Sequence, residues 1–333
     1  MGKTITLAIN GMGRIGRTIL RQVALQGADG PFRVVALNDI AEVGVIEYLL
    51  RFDSVFGPFP GRIERAGGDL VIDGRRIAVT RSADLAGVDL TGVDVFLECT
   101  GKAQTRDWAE RGLRAGAAQV LISGPSAVAD VTVVMGANEA ALGQARVVSN
   151  ASCTTNALAP LLRALDAAWG VESAHMTTIH CYTGSQPTMD APRGDPARSR
   201  AAALSMVPTT TSATNLIDLV LPHLAGRISG AAVRVPVASV SAVDLVIRAR
   251  NLPPGDLAGP LRDMAEASPV MGWTEWPNVS SDLRGRPESV ILALPETARV
   301  GAHQLRVFGW YDNEWGFSAR MLDMAARMAA RDA

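Results

Sequence analysis

Up to about residue 150 the chain alternates short apolar runs with stretches in which apolar positions recur every three or four residues. Residues 5–9, apolar but for Thr6, suit a buried strand, and Ile15, Ile19, Leu20 and Val23 then mark one face of a helix. Further strands are predicted at 34–37, 70–72, 93–97, 120–122 and 131–135. Strand and helix in alternation imply βαβ units and a parallel sheet. Several of these strands end in small or polar pairs: Asn10-Gly11, Asn38-Asp39, Thr100-Gly101 and Ser123-Gly124. Ligands of doubly wound sheets sit beyond such carboxyl ends.

From Ser152 the rhythm changes. Leu158, Leu161, Leu162 and Leu165 mark a helix that closes at Gly170, and strands are predicted at 176–182, 232–235, 243–248, 290–294 and 305–309. This pattern predicts an α+β unit with a mostly antiparallel or mixed sheet. Residues 183–200 keep no period and contain Gly184, Pro187, Pro192, Gly194 and Pro196; a loop that long in a compact domain serves a site or an interface. A last helix runs through Met321, Leu322, Met324, Ala325 and Met328.

The 333 residues suit two domains, and 48% hydrophobic with 20% charged residues suits packed cores rather than disorder. A net charge of −1 argues against a general nucleic-acid or anionic-membrane binder, so any anion site must be local. No apolar run approaches the ~18–20 residues of a spanning helix. The first residues lead into a strand without the apolar core of a signal peptide. Three cysteines, Cys99, Cys153 and Cys181, form no C-x-x-C pair, so no metal site is expected and a reducing, cytoplasmic setting is.

Three motifs carry chemistry. Gly11-x-Gly13-x-x-Gly16 falls between a predicted strand and helix, with Asp39 ending the next strand 23 residues after Gly16. The glycines permit a tight turn and close approach of backbone to a pyrophosphate, and an acidic residue there accepts from a ribose hydroxyl and repels a 2′-phosphate. That predicts NAD rather than NADP; ordinary turn glycines and a capping Asp39 would leave the coincidence unexplained. Cys153 opens the Leu158 helix, where free N–H groups and the dipole favour a thiolate nucleophile. Cys99 and Cys181 lie in apolar strand patterns and read as packing residues. His180 is one of four histidines and one candidate for the near-neutral base that thiol chemistry needs.

Together these stretches resemble a known family. Ile-Asn-Gly-Met-Gly-Arg-Ile-Gly-Arg, Ala-Ser-Cys-Thr-Thr-Asn, His-Cys-Tyr-Thr-Gly, Val-Arg-Val-Pro and Trp-Tyr-Asp-Asn-Glu-Trp-Gly, in this order along the chain, look like the NAD-dependent, phosphorylating glyceraldehyde-3-phosphate dehydrogenases. The resemblance implies a Rossmann-type NAD-binding domain over 1–152, completed by a C-terminal helix over 317–333, and a catalytic domain over 153–316. It implies Cys153 as nucleophile and His180 as base. NAD contacts would fall on Asn10, Gly11, Gly13, Arg14, Ile15, Asp39, Arg81, Thr100, Gly101, Ser123 and Asn313. Substrate and phosphate contacts would fall on Ser152, Thr154, Thr183, Arg198, Thr211, Ser212 and Arg234. The loop 183–200 would lie at the core of a homotetramer.

The chemistry so implied is oxidation of glyceraldehyde 3-phosphate, or a close phosphorylated aldehyde, through a cysteine thioester that inorganic phosphate converts to an acyl phosphate. The chain departs from the family at Ser212 and Asn215, where glycine and lysine are usual. It departs again at Ser185, at Val237, at Phe317, where tyrosine is usual, and at 102–104, where Lys102-Ala103-Gln104 replaces a segment with an aromatic. These changes touch the substrate more than the mechanism. Two alternatives follow: hydrolysis of the thioester, as in erythrose-4-phosphate dehydrogenase, or a slow paralogue kept as a binding or inhibitor-resistance protein.

Overall fold

The structure, a computed structural model, describes residues 3–331. The chain forms two compact units. The first contains the chain up to Val133, residues 140–151 and the segment from Ser318 onward; the second contains 134–139 and 152–317. Relative to the expected boundaries, 134–139, Ser152 and Phe317 side with the second unit. Residues 332 and 333 of the expected last helix lie outside the described residues.

The first unit is built on a nine-stranded sheet in the order Val131–Thr132, Val147–Ser149, Gln119–Ile122, Val95–Glu98, Ile5–Asn10, Phe32–Asn38, Arg75–Thr80, Asp69–Ile72, Ile63–Ala66. Every pairing as far as Arg75–Thr80 is parallel, and the last two are antiparallel. The inner strands Val95–Glu98 and Gln119–Ile122 are buried at every position, which is why 95–97 and 120–122 read as unbroken apolar runs. From Ile5–Asn10 the chain goes to Phe32–Asn38 on one side, while Val95–Glu98 opens the other half of the sheet. The carboxyl end of Ile5–Asn10 is therefore the switch point at which ligands of such sheets bind.

Two expectations are corrected here. The strand at 70–72 belongs to an antiparallel meander rather than to the parallel sheet, and the parallel neighbour of Phe32–Asn38 is Arg75–Thr80. That strand went unpredicted because Arg75 and Arg76 interrupt its apolar pattern. The strand at 131–135 pairs only over Val131–Thr132, beside the three-residue strand Val147–Ser149, which is too short to show a period. The helix Trp315–Ala329 carries the chain back into the first unit, where the Met328 carbonyl accepts from Gln119 Nε2 at 3.1 Å.

The second unit holds an eight-stranded mixed sheet. Its main order is Val207–Thr209, Ile228–Val235, Val171–Cys181, Ser241–Ala249, Gln304–Tyr311, Val290–Ala293, Met271–Thr274, and Ala298–Val300 pairs with Gln304–Tyr311. Val171–Cys181 runs parallel to Ile228–Val235 and antiparallel to Ser241–Ala249. The helix Cys153–Trp169 packs on this sheet through Leu158, Leu161, Leu162 and Leu165, all fully buried, each contributing about 1.5–3 kcal/mol. Gly170, at φ +68°, ends the helix. Residues 183–200 form an irregular segment whose only regular piece is the 3₁₀ turn Ala197–Ser199.

Candidate active site

In the first unit the switch point opens into a cavity of about 470 Å³, whose lining includes Asn10, Gly11, Gly13, Asp39, Thr100 and Trp108. Gly11 has φ +93°, and a Cβ there would lie 2.9 Å from the backbone of Cys99 and Thr100. A Cβ on Gly16 would overlap the Gly11 carbonyl, so helix Arg14–Leu25 packs tightly onto the turn. Gly13 at the N-cap offers no side-chain cap, leaving first-turn N–H groups for an anion. Asp39 accepts from the N–H groups of Met12 (2.6 Å) and Ala41 (2.9 Å), which fixes its carboxylate at the cavity wall. An uncapped helix end and an anchored carboxylate fit a dinucleotide with a free ribose 2′-hydroxyl.

Not every predicted contact is free for a cofactor. Glu98 is buried, and its carboxylate accepts from Asn10 Nδ2 at 2.6 Å and from the Thr100 N–H at 2.9 Å and hydroxyl. Asn10 in turn accepts from Asn38 Nδ2 at 2.7 Å. The side chains of Asn10 and Thr100 thus tie strand ends together. Arg14 is paired with Asp53 at 2.5 Å, and Arg81 with Glu42 at 2.7 Å. Ser123 donates its N–H to the Glu98 carbonyl at 2.9 Å. Ile15 is half-buried on the helix, and Gly101, at φ +71°, turns the chain after Thr100. Trp108 was not foreseen. It lines the cavity with Lys102 and stacks under Arg111 at 3.7 Å, and its signal was the missing aromatic at 102–104.

In the second unit Ser152 is the N-cap of the Cys153–Trp169 helix, its Oγ accepting from the Thr155 N–H at 3.1 Å. Cys153 is the first helical residue, and its Sγ lies 3.6 Å from His180 Nε2. Thr154 is buried, its Oγ1 2.8 Å from the Tyr311 hydroxyl, which also reaches Thr178 Oγ1 at 2.8 Å. Ser152 and Thr154 therefore hold the helix start in place with their side chains, a role the phosphate assignment did not include. Tyr311 also meets the His180 ring edge-on at 6.0 Å.

His180 and Arg234 face each other on neighbouring parallel strands. Arg234 Nη1 lies 2.6 Å from His180 Nδ1 and 3.0 Å from the Cys181 carbonyl. Burial first, then the Arg234 charge, lower the imidazole from 6.5 to about 4. The expected near-neutral base is thus a neutral imidazole far into the acid range. The Cys153 thiol is pushed up by burial, which outweighs the downward pull of Arg234, the Thr154 hydroxyl and the Thr154 and Cys153 N–H groups. This corrects the expectation that the helix end and His180 would together depress it. Burial also pushes Cys99 and Cys181 up, each to about 12.

The remaining predicted residues group around the same strands. Arg198 donates Nε to Thr209 Oγ1 at 2.7 Å, and the Val207–Thr209 strand pairs with the one bearing Arg234. Thr211 Oγ1 caps the Ala213 N–H at 3.1 Å, while Ser212 caps the Ala213–Val220 helix with no side-chain bond. Thr183 pairs with Ser185 at 2.9 Å. Asn313 is buried, its Oδ1 accepting from Cys181 Sγ (3.1 Å) and Ser241 Oγ (3.2 Å).

Residues 5–106 match the model of the glyceraldehyde 3-phosphate dehydrogenase NAD binding domain, and 152–313 match that of the C-terminal domain. The chain belongs to the glyceraldehyde-3-phosphate dehydrogenase family. It is 46% identical over 332 residues to glyceraldehyde-3-phosphate dehydrogenase of Pseudomonas aeruginosa, covering 98% of this chain and 99% of the relative. It is 45% identical over 330 residues to that of Cereibacter sphaeroides (98% of each). It is 36% identical over 334 residues to glyceraldehyde-3-phosphate dehydrogenase 2 of Bacillus subtilis (98% and 97%). The family is one of NAD-dependent oxidoreductases, and NAD is its cofactor. Among the described residues no helix is long and apolar enough to cross a membrane.

Proposed function

We propose that this chain oxidises glyceraldehyde 3-phosphate, or a close phosphorylated aldehyde, to an acyl phosphate with NAD and inorganic phosphate. The observation that carries the reading is the Cys153 Sγ to His180 Nε2 approach of 3.6 Å at a helix start, with Arg234 against the same imidazole. The first unit, with its Gly11–Asp39 cavity, is the NAD domain, and the second is the catalytic one.

Cys153 passes its thiol proton to His180 and adds as thiolate to the aldehyde carbon, and the carbonyl oxygen takes that proton up from His180 as a hydroxyl. His180 then removes the proton of the resulting hydroxyl, and a thioester remains on Cys153. NAD, when bound, supplies the hydride acceptor. Inorganic phosphate attacks the thioester carbon, and the Cys153 sulfur leaves as thiolate. Arg198 and Arg234 supply charge-assisted, bidentate donors for phosphate groups. Thr183, Thr211 and Ser212 lie on the segments beside them, and Ser152 and Thr154 support the nucleophile.

The protein works as a cytoplasmic homotetramer. Exposed Met189, Leu204 and Met206, on and just after the irregular segment, give it apolar surface to cover. A monomeric mass by light scattering at micromolar concentration would refute the assembly. The activity is tested by following NADH formation from D-glyceraldehyde 3-phosphate while phosphate is varied, with direct detection of the acyl phosphate. A phosphate-independent steady-state rate that yields the free acid assigns the chain to the hydrolytic chemistry instead. Absence of turnover across a phosphorylated-aldehyde panel assigns it to a binding role.

A further inference from the structure

The cavity of the first unit has an aromatic wall that its glycine turn and its acid do not explain. An acidic residue such as Asp39 holds the ribose of a bound adenosine, so the base on that ribose must lie against other walls of the same cavity. The lining has two large apolar side chains, Ile40, 64% exposed, and Trp108, from the short helix Arg106–Ala109. Packing alone does not account for Trp108. Ala103 and Ala109, each 1% exposed, go into the buried cluster with Phe96, while Trp108 rests on that cluster and stays half-buried at the cavity. Its indole nitrogen is buried, so the surface it shows is carbon.

We propose that Trp108 is this chain's adenine platform: the base of NAD stacks on its indole, which the helix Arg106–Ala109 supplies in place of the aromatic missing at 102–104. The inference rests on the assignment of this cavity to NAD made above. The ring is held from behind and from below. Arg111 lies outside the lining and stacks its guanidinium on the indole at 3.7 Å, a planar cation on a flat ring. Arg111 Nη1 also donates to the Ala83 carbonyl at 3.1 Å, and the Trp108 N–H donates to Thr105 Oγ1 at 3.3 Å. Ser82, next to Ala83, donates its N–H to Asn38 Oδ1 and accepts from Asn38 Nδ2, both at 2.9 Å. Asn38 precedes Asp39, so the indole is tied into the same frame as the carboxylate that takes the ribose. A ring fixed in this way gives up little freedom when a base stacks on it, and ordering lost on binding is what most reduces affinity. Stacking also needs no hydrogen bond from the base, which suits a wall that shows only carbon.

The test uses the full chain labelled with 5-fluorotryptophan and ADP-ribose, which carries the adenosine and diphosphate of NAD without its nicotinamide. Of the six tryptophan ¹⁹F resonances, the one absent from Trp108→Phe belongs to Trp108. Saturating ADP-ribose should shift that resonance further than the other five, because the ring current of a stacked base acts at contact range. By calorimetry, Trp108→Ala should bind ADP-ribose about 5- to 150-fold more weakly than the wild type, the span of base–aromatic stacking. Trp108→Phe, which keeps a flat ring, should recover most of that loss. The resonance shift is read on the wild type and so decides even where Trp108→Ala does not fold. A wild type that binds ADP-ribose with the Trp108 resonance unmoved overturns the platform and leaves the assignment of the cavity to NAD standing. So does a folded Trp108→Ala that binds ADP-ribose as tightly as the wild type. A wild type that fails to bind ADP-ribose overturns both.

Discussion

Substituting His180→Gln should remove an acid-side weakness that the native fold carries. The folded chain holds this imidazole at about 4, by burial first and the Arg234 charge second, against 6.5 for the free side chain. Between those values the unfolded chain binds a proton that the folded chain refuses. Linkage then makes stability fall as pH drops through that window, by about 1.4 kcal/mol per pH unit. The loss accumulates from pH 6.5 downward and is complete below about 4, where it amounts to about 3 kcal/mol. That is a large part of the ~5–15 kcal/mol of a typical domain. Other groups titrate in both proteins, so the measured quantity is the difference between wild type and His180→Gln. Urea unfolding followed by tryptophan fluorescence at steps from pH 7.5 to 4.5 should show the variant gaining on the wild type as pH falls. Parallel stability curves, or an NMR titration of His180 with a midpoint near its free value, would refute the reasoning.

Three further outcomes are expected. Iodoacetamide should label Cys153 well ahead of Cys99 and Cys181, because Arg234, the Thr154 hydroxyl and the helix-start N–H groups pull its thiol down against burial while the other two thiols are held near 12; mass spectrometry with early labelling of either would contradict this. Asp39→Ala should relax the preference for NAD over NADP by about 2–4 kcal/mol, the scale of a close like-charge pair near a surface, as read from kcat/KM with both cofactors. Equal use of the two cofactors by the native protein would sink that idea. Tyr311→Phe should cost about 1–3 kcal/mol in urea unfolding, since it leaves the Thr154 and Thr178 hydroxyls without their shared partner at 2.8 Å, and an unchanged midpoint would show that they find others.

What could be predicted from the chain follows the reach of each physical signal. Inner strands such as Val95–Glu98 are buried on both faces, and helices such as Cys153–Trp169 carry an apolar stripe, so both announce themselves by composition and period. Arg75–Thr80 lies toward the sheet's far side with one residue in six buried, so its charges hid it. The glycine turn and the cysteine at a helix start were predictable because each is a local geometry written in adjacent residues. Residues that act by supporting others were not. Glu98 reads as a stray acid at the end of a strand, and Tyr311 as part of an apolar run, until the fold brings Asn10 and Thr100 to one and Thr154 and Thr178 to the other.

The electrostatics of the base were the least predictable, and the reason lies in strand register. His180 and Arg234 stand 54 residues apart, and nothing local to either announces the other. They meet because Val171–Cys181 and Ile228–Val235 run parallel with these two residues paired. A slip of one residue would turn the arginine to the opposite face of the sheet, and the imidazole would lose both its charged neighbour and the donor at Nδ1. The residue types suffice to propose a cysteine and a candidate base, and the resemblance to the family adds an anion-binding arginine, as three separate parts. Only the register makes the last two neighbours, with the Arg234 guanidinium 2.6 Å from His180 Nδ1.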